Sequence, residues 1–168
     1  AYAIVNRRLP CPATPGTTGD EAPAGGAAAC TNSFGGFLPG RTIGIQTVDS
    51  QFYALDAWGN RIRYALSNSL TGCAGGAAIG PPFFTSQVNL KTNGVSCRPN
   101  DIDICAPTTI ATACTAANRV VSTETVAFVV FSTGKNGSIA PAHGAHELAN
   151  LDGNGSFISR TPSGADST

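Results

Sequence analysis

Charge is the scarcest ingredient of this sequence. Only 12% of its 168 residues are charged, ten acidic against ten basic, about half the usual share. With a formal net charge of zero, the chain sets up no field of one sign, which argues against nucleic acid or anionic lipid as a partner. Histidine is nearly as rare, with His143 and His146 alone. Their order, His-x-x-His-Glu, is not the helical His-Glu-x-x-His of a zinc protease, and Pro141 and Gly144 beside them predict a solvated loop. A hydrolase's Gly-x-Ser-x-Gly elbow is absent. Ser132-Thr133-Gly134-Lys135 lacks the first glycine of a phosphate loop. Asp101 and Asp103 have no glycosidase-like context. The sequence therefore predicts no catalytic residues and no enzyme. Methionine is absent too, and the longest run of large apolar residues, Val126 to Phe131, is far short of the ~20 needed to cross a bilayer.

What is plentiful is glycine (20), proline (11) and an even set of six cysteines. Few strong helix formers and many turn residues predict short strands joined by irregular loops. No cysteine pair has the Cys-x-x-Cys spacing of a zinc ribbon or a thioredoxin-type site. Disulfides are the expected use, and they place the chain in an oxidising, extracytoplasmic compartment. Local spacing favours Cys11–Cys30 and Cys97–Cys105, which leaves Cys73–Cys114. An exported chain needs a targeting segment, so the expectation is a processed or truncated form.

Along the chain, Ala1 to Arg8 has helical composition and stops at Leu9-Pro10-Cys11-Pro12, where two prolines forbid continuation. A helix this short does not stand alone, so it reads as the stub of a longer one. Cys11 to Cys30 reads as a tethered loop outside the core. From Arg61, the residues Ile62, Tyr64 and Leu66 alternate with Arg61, Arg63 and Ala65, the period of a half-buried antiparallel strand. Val88 and Leu90 alternate before Asn93-Gly94, which predicts a hairpin returning through Val95 to Cys97. Val126 to Phe131 is apolar on both faces and predicts the central strand. Phe157-Ile158 predicts a last short strand, and Thr161 to Thr168 a frayed tail. Asn136 and Asn154 stand in Asn-Gly-Ser sequons, which read better as turns.

The segment from Gly134 to Ser156 is the candidate site. It offers Asn136, Glu147, Asn150, Asp152 and Asn154 with many loop carbonyls, and hard oxygen ligands on such a backbone suit calcium. Glu147, Asn150 and Asp152 are the predicted ligands. In Asp56-Ala57-Trp58-Gly59-Asn60, Gly59 and Asn60 tolerate positive φ. A sharp turn is expected there, with Asp56 accepting from turn amides and Trp58 folded over the core.

Taken in order, several phrases resemble the type IV pilin and type II secretion pseudopilin superfamily. Ala3-Ile4-Val5-Asn6-Arg7-Arg8-Leu9-Pro10-Cys11-Pro12 looks like the exit from that family's long N-terminal helix. Leu38-Pro39 with Thr42-Ile43-Gly44 is similar to its Leu-Pro-Trp-x-Thr-Leu-Gly phrase, with Gly40 where the tryptophan would stand. Asp56 to Tyr64 resembles its Asp-x-Trp-Gly-Asn turn and following strand. Val130-Phe131-Ser132-Thr133-Gly134-Lys135-Asn136-Gly137, followed by Glu147, Asn150 and Asp152, looks like the C-terminal strand and loop that hold calcium in the major pseudopilins. Lys135-Asn136 stands where a carboxylate is expected.

The resemblance implies one α+β domain over residues 1–168, a pilin-like head in which the helix stub 1–8 packs on a small antiparallel sheet with long disulfide-stapled loops. It implies a structural subunit of a type IV pilus or secretion pseudopilus, serving assembly, adhesion or secretion. Its partners would be other copies or related subunits, joined through a missing apolar N-terminal helix, and the assembly machinery of the inner membrane. The precursor would be anchored there, facing the periplasm, before reaching the filament or cell surface. The rival is a secreted, disulfide-rich β-fold binding or adhesion module with no filament role.

Overall fold

Tyr64, Ala65 and Leu66 are all buried, and they lie in the strand around which the fold is organised. A computed structural model of the chain describes residues 2–26, 28–68, 70–71, 83–93, 97–107, 114–121, 125–135, 137 and 144–159. In chain order the elements are α1 (Tyr2–Asn6), a 3-10 turn (Ala24–Gly26), β1 (Gly36–Phe37), α2 (Gly40–Ile43), β2 (Arg63–Leu66), β3 (Leu70–Thr71) and α3 (Gln87–Asn93). There follow β4 (Arg98–Pro99), β5 (Asp103–Cys105), β6 (Phe128–Phe131), α4 (Ala145–Leu151) and β7 (Ser156–Ile158). Helix and strand are mixed, with small sheets and long loops, which is an α+β arrangement.

The main sheet runs β1-β2-β6, antiparallel throughout. Phe37 pairs with Arg63, Tyr64 with Val130 and Leu66 with Phe128. The alternation from Arg61 thus marks a real strand, but β2 and not the Val126–Phe131 run is its centre. β6 lies at an edge, with Phe128 and Val130 exposed on one face and Val129 and Phe131 half-buried on the other. Apolarity on both faces says nothing about how many neighbours a strand has in its own plane, and here it does not mean cover on both faces either. Conversely, Ala65 lies on the face shared with Arg63 yet is fully buried. It packs with Ile102 and Phe157, and Phe34, Ile104, Val129 and Phe131 close around them. Phe131 meets Phe157 edge to face at 5.7 Å. That core is completed by β5 and β7, which pair in parallel.

Helices α3 and α4 stand where none is expected. Residues 87–93 form α3 instead of a hairpin arm. Ser86 starts it: its Oγ accepts from the Asn89 amide at 3.2 Å and its carbonyl from Leu90 at 3.0 Å, as an N-cap serine does. Leu90 packs on the small cluster of Phe83, Phe84 and Cys97. Gly94 to Ser96 lie outside the described residues. His146 is on α4, not in a loop; Gly144 precedes the helix and its carbonyl accepts from the amides of Glu147 and Leu148, both at 2.9 Å. His143 and the tail 161–168 lie outside the described residues.

The bridges are Cys11–Cys30 and Cys105–Cys114. The second corrects the expected pairing of Cys105 with Cys97 and of Cys114 with Cys73. After β5 the chain folds back on itself: Ala106 donates to the Asn118 carbonyl at 2.7 Å and Val120 to Ile104 at 2.9 Å. This return lays Cys114 beside Cys105, with 5.6 Å between their Cα atoms. Cys97 is bridged as well, and Cys73 lies outside the described residues. The loop closed by Cys11–Cys30 is no mere surface tether. Cys11, Pro12, Ala13, Glu21 and Ala22 are buried, and Ala13 bridges Phe37 at the sheet edge with hydrogen bonds of 2.9 Å in both directions.

Candidate functional site

Two loops that the sequence keeps more than seventy residues apart meet at the start of β2. In the first, Asp56 Oδ1 accepts from the amides of Trp58 at 2.9 Å and Asn60 at 2.8 Å. Gly59 takes φ 83°, a value glycine reaches without steric cost. Asn60 does not enter the left-handed region, and Trp58 does not fold over the core: it is 58% exposed. The second loop follows β6. The Ser132 hydroxyl donates to Asp56 Oδ2 and accepts from the Gly134 amide at 2.8 Å. Buried Asn60 locks the two together, donating through Nδ2 to the Gly134 carbonyl at 2.6 Å. Desolvation pulls the Asp56 carboxyl upward, but its donors, Ser132 first and then the Asn60 and Trp58 amides, outweigh it and hold the group below its usual range.

Beside this junction lies a hollow of about 250 Å³, lined among others by Phe37, Asn60, Arg61, Arg63, Thr133 and Leu151. Arg61 is neutralised: its Nε meets Asp49 Oδ2 at 2.7 Å and its Nη2 meets Gln51 Oε1 at 2.5 Å. It also lies over the Tyr53 ring, 4.0 Å from the centroid. Arg63 is different. Its guanidinium lies 4.4 Å from the Phe37 centroid and makes one long hydrogen bond, 3.4 Å, to the Gly35 carbonyl. It has no carboxylate partner among the described residues. In the sequence Arg63 is one of several polar positions on a strand, and no local signal distinguishes it.

Two of the predicted calcium ligands, Asn150 and Asp152, make hydrogen bonds within their own part of the fold. Asn150, on α4, spends both ends of its amide on β7: Oδ1 accepts from Ile158 N at 2.6 Å and Nδ2 donates to Ile158 O at 3.0 Å. Asp152 accepts from the amide of Asn154 at 3.0 Å and from its side chain at 2.5 Å. Asn154 in turn accepts from Ser156 N at 2.7 Å. Asp152 to Ser156 thus form successive turns that lead into β7. Glu147 sits in the first turn of α4. Among the described residues, no three His, Cys, Asp or Glu side chains gather closely enough to hold a metal ion. Asn136 lies outside the described residues.

On the other face of the main sheet an apolar groove of about 320 Å³ runs between α1 and β6, lined by Tyr2, Leu9, Ile43, Tyr64, Phe128 and Val130 among others. The Tyr64 hydroxyl donates to the Pro10 carbonyl at 3.1 Å, and burial pushes its pKa well up. Among the described residues no helix is long and apolar enough to cross a membrane.

No protein-family model, curated protein or solved structure matches this chain.

Proposed function

We propose that this chain is the globular head of a filament-forming subunit of the type IV pilin and type II secretion pseudopilin kind. The observation that carries the reading is the apolar surface around α1. That helix has five residues and buries none of them, and Ile4 and Val5 are 83% and 78% exposed. They stand near a groove whose far wall, Phe128 and Val130, is also about half exposed. An isolated turn of helix has too little propensity to hold itself together, and exposed apolar surface of this kind suits an interaction site. A longer apolar helix running through α1 would cover it and join copies of the subunit. The ordered phrases at residues 3–12, 38–44, 56–64 and 130–137 support the same reading.

Burial of such a helix would supply most of the lateral energy, at roughly 25 cal/mol per Å², while the weakly charged head fixes register. The bridges fit the oxidising compartment that this role requires. The test compares the chain carrying its native upstream segment with the chain alone. Electron microscopy should find filaments only for the first, and sedimentation should find the second folded and monomeric. Filaments formed equally by both would overturn the proposal.

A further inference from the structure

We propose that the hollow bounded by Phe37, Asn60, Arg61, Arg63, Thr133 and Leu151 is a binding site for the oxyanion group, carboxylate or phosphate, of a small ligand, and that Arg63 holds it. Three observations carry this. First, Arg63 lines the hollow and its guanidinium has most of its donors unspent: the 3.4 Å contact with Gly35 uses one of five. A planar fork of this kind is the side chain best shaped for two parallel hydrogen bonds to a carboxylate or phosphate. Second, the fork is positioned before any ligand arrives. Phe37 lies beneath it at 4.4 Å and is itself fixed edge to face on buried Tyr53, 5.3 Å away. Third, the charge balance is incomplete. Asp49 neutralises Arg61, and no described carboxylate neutralises Arg63. Burial and the like charge of Arg61 both disfavour its protonated form, and the opposite charge of an anion would offset them.

The remaining walls set the ligand's size and character. About 250 Å³ exceeds what a bare anion fills, a single water occupying about 30 Å³ of liquid. The hollow therefore leaves room for an organic body beside the anion. Phe37 and Leu151 offer that body apolar surface, and Thr133 a hydroxyl. The two loops that shape the rim are locked to each other by Asn60 and Ser132, so the site does not have to be assembled on binding.

The test is an NMR titration of the labelled protein, at constant low ionic strength, with inorganic phosphate and separately with glucuronate. The expected result is a saturable shift of the Arg63 Nε–H signal and of the Gly59 and Thr133 amides with at least one probe. Saturation by glucuronate alone identifies a carboxylate ligand, by phosphate alone a phosphorylated one, and by both a general oxyanion site. Arg63→Gln should weaken binding at least tenfold. Arg63→Lys, which keeps the charge and loses the fork, should weaken it severalfold and serves if the first variant fails to fold. No saturable shift with either probe, or binding unaltered in either variant, would overturn the proposal.

Discussion

Arg8 grips the buried carboxylate of Glu21 with both terminal nitrogens, Nη1 to Oε2 at 2.7 Å and Nη2 to Oε1 at 2.5 Å. Glu21 also accepts from the amides of Cys11 at 3.1 Å and Gly25 at 3.2 Å, and from the Tyr2 hydroxyl at 3.2 Å. One carboxylate therefore ties α1, the proline exit and the loop closed by Cys11–Cys30 into a unit. Desolvation works against the charge on Glu21, but the Arg8 and Cys11 donors outweigh it and hold the carboxyl below its ordinary value of 4.5. Burial, with Glu21 adding, pushes Tyr2 up to about 12.

The consequence is an acid-sensitive anchor. Because the folded-state pKa of Glu21 is depressed, its contribution is fully present above 4.5 and is lost as pH falls through the lower folded value. Glu21→Gln should lower stability at neutral pH by about 3–5 kcal/mol, the usual cost of breaking a buried pair from one side. It should also flatten the acid limb of the stability curve. Urea unfolding of both proteins from pH 7 down to acid checks this. Parallel curves would refute it.

The Cys105–Cys114 bridge makes a covalent prediction. Peptide mapping without reduction should recover Cys105 linked to Cys114 and Cys11 linked to Cys30. Removing either bridge should cost about 2–4 kcal/mol. The Cys11–Cys30 loop, 19 residues against 9, should be the dearer by about 0.6 kcal/mol on chain entropy alone. A peptide linking Cys97 to Cys105 would be the contrary result.

The junction of the two loops rests on Asp56 and Asn60. Asn60→Ala leaves the Gly134 carbonyl without its side-chain donor, and Asp56→Ala removes the acceptor for two turn amides and Ser132. Each should cost about 1–3 kcal/mol. The double variant should cost less than the sum, since the two side chains share one network. Chemical denaturation of the three proteins measures the coupling, and strict additivity would refute it.

Asn150 sews α4 to β7. Asn150→Ala should lower stability by about 1–3 kcal/mol by stranding both polar groups of Ile158. The loss should be the same in calcium and in chelator, because the amide serves the backbone. A loss that appears only with calcium present would return this residue to the role of a ligand.

How far the sequence could be read follows from the range of the forces involved. Tyr64 and Leu66 announce their strand by alternation, Phe157-Ile158 is found in β7, and Asp56 makes the turn its side chain favours. Each of these is local. Helices α3 and α4, seven residues apiece, are too short for periodicity to reveal and form where packing permits. The edge position of β6, the exposure of Trp58 and the partner of Cys105 depend on which distant segments fold alongside. So does Arg63: what sets it apart is the carboxylate it lacks, and that is visible only once Asp49 is seen beside Arg61.

The proposal that an apolar helix runs through α1 is tested most directly by sequencing the N-terminus of the mature protein isolated from its native host. The expected result is a mature chain that starts upstream of Ala1, with an apolar segment of about 20 residues, the length that spans a bilayer, leading without a break into Tyr2–Asn6. A mature chain that starts at or just before Ala1, after an ordinary cleaved secretory signal, would contradict it.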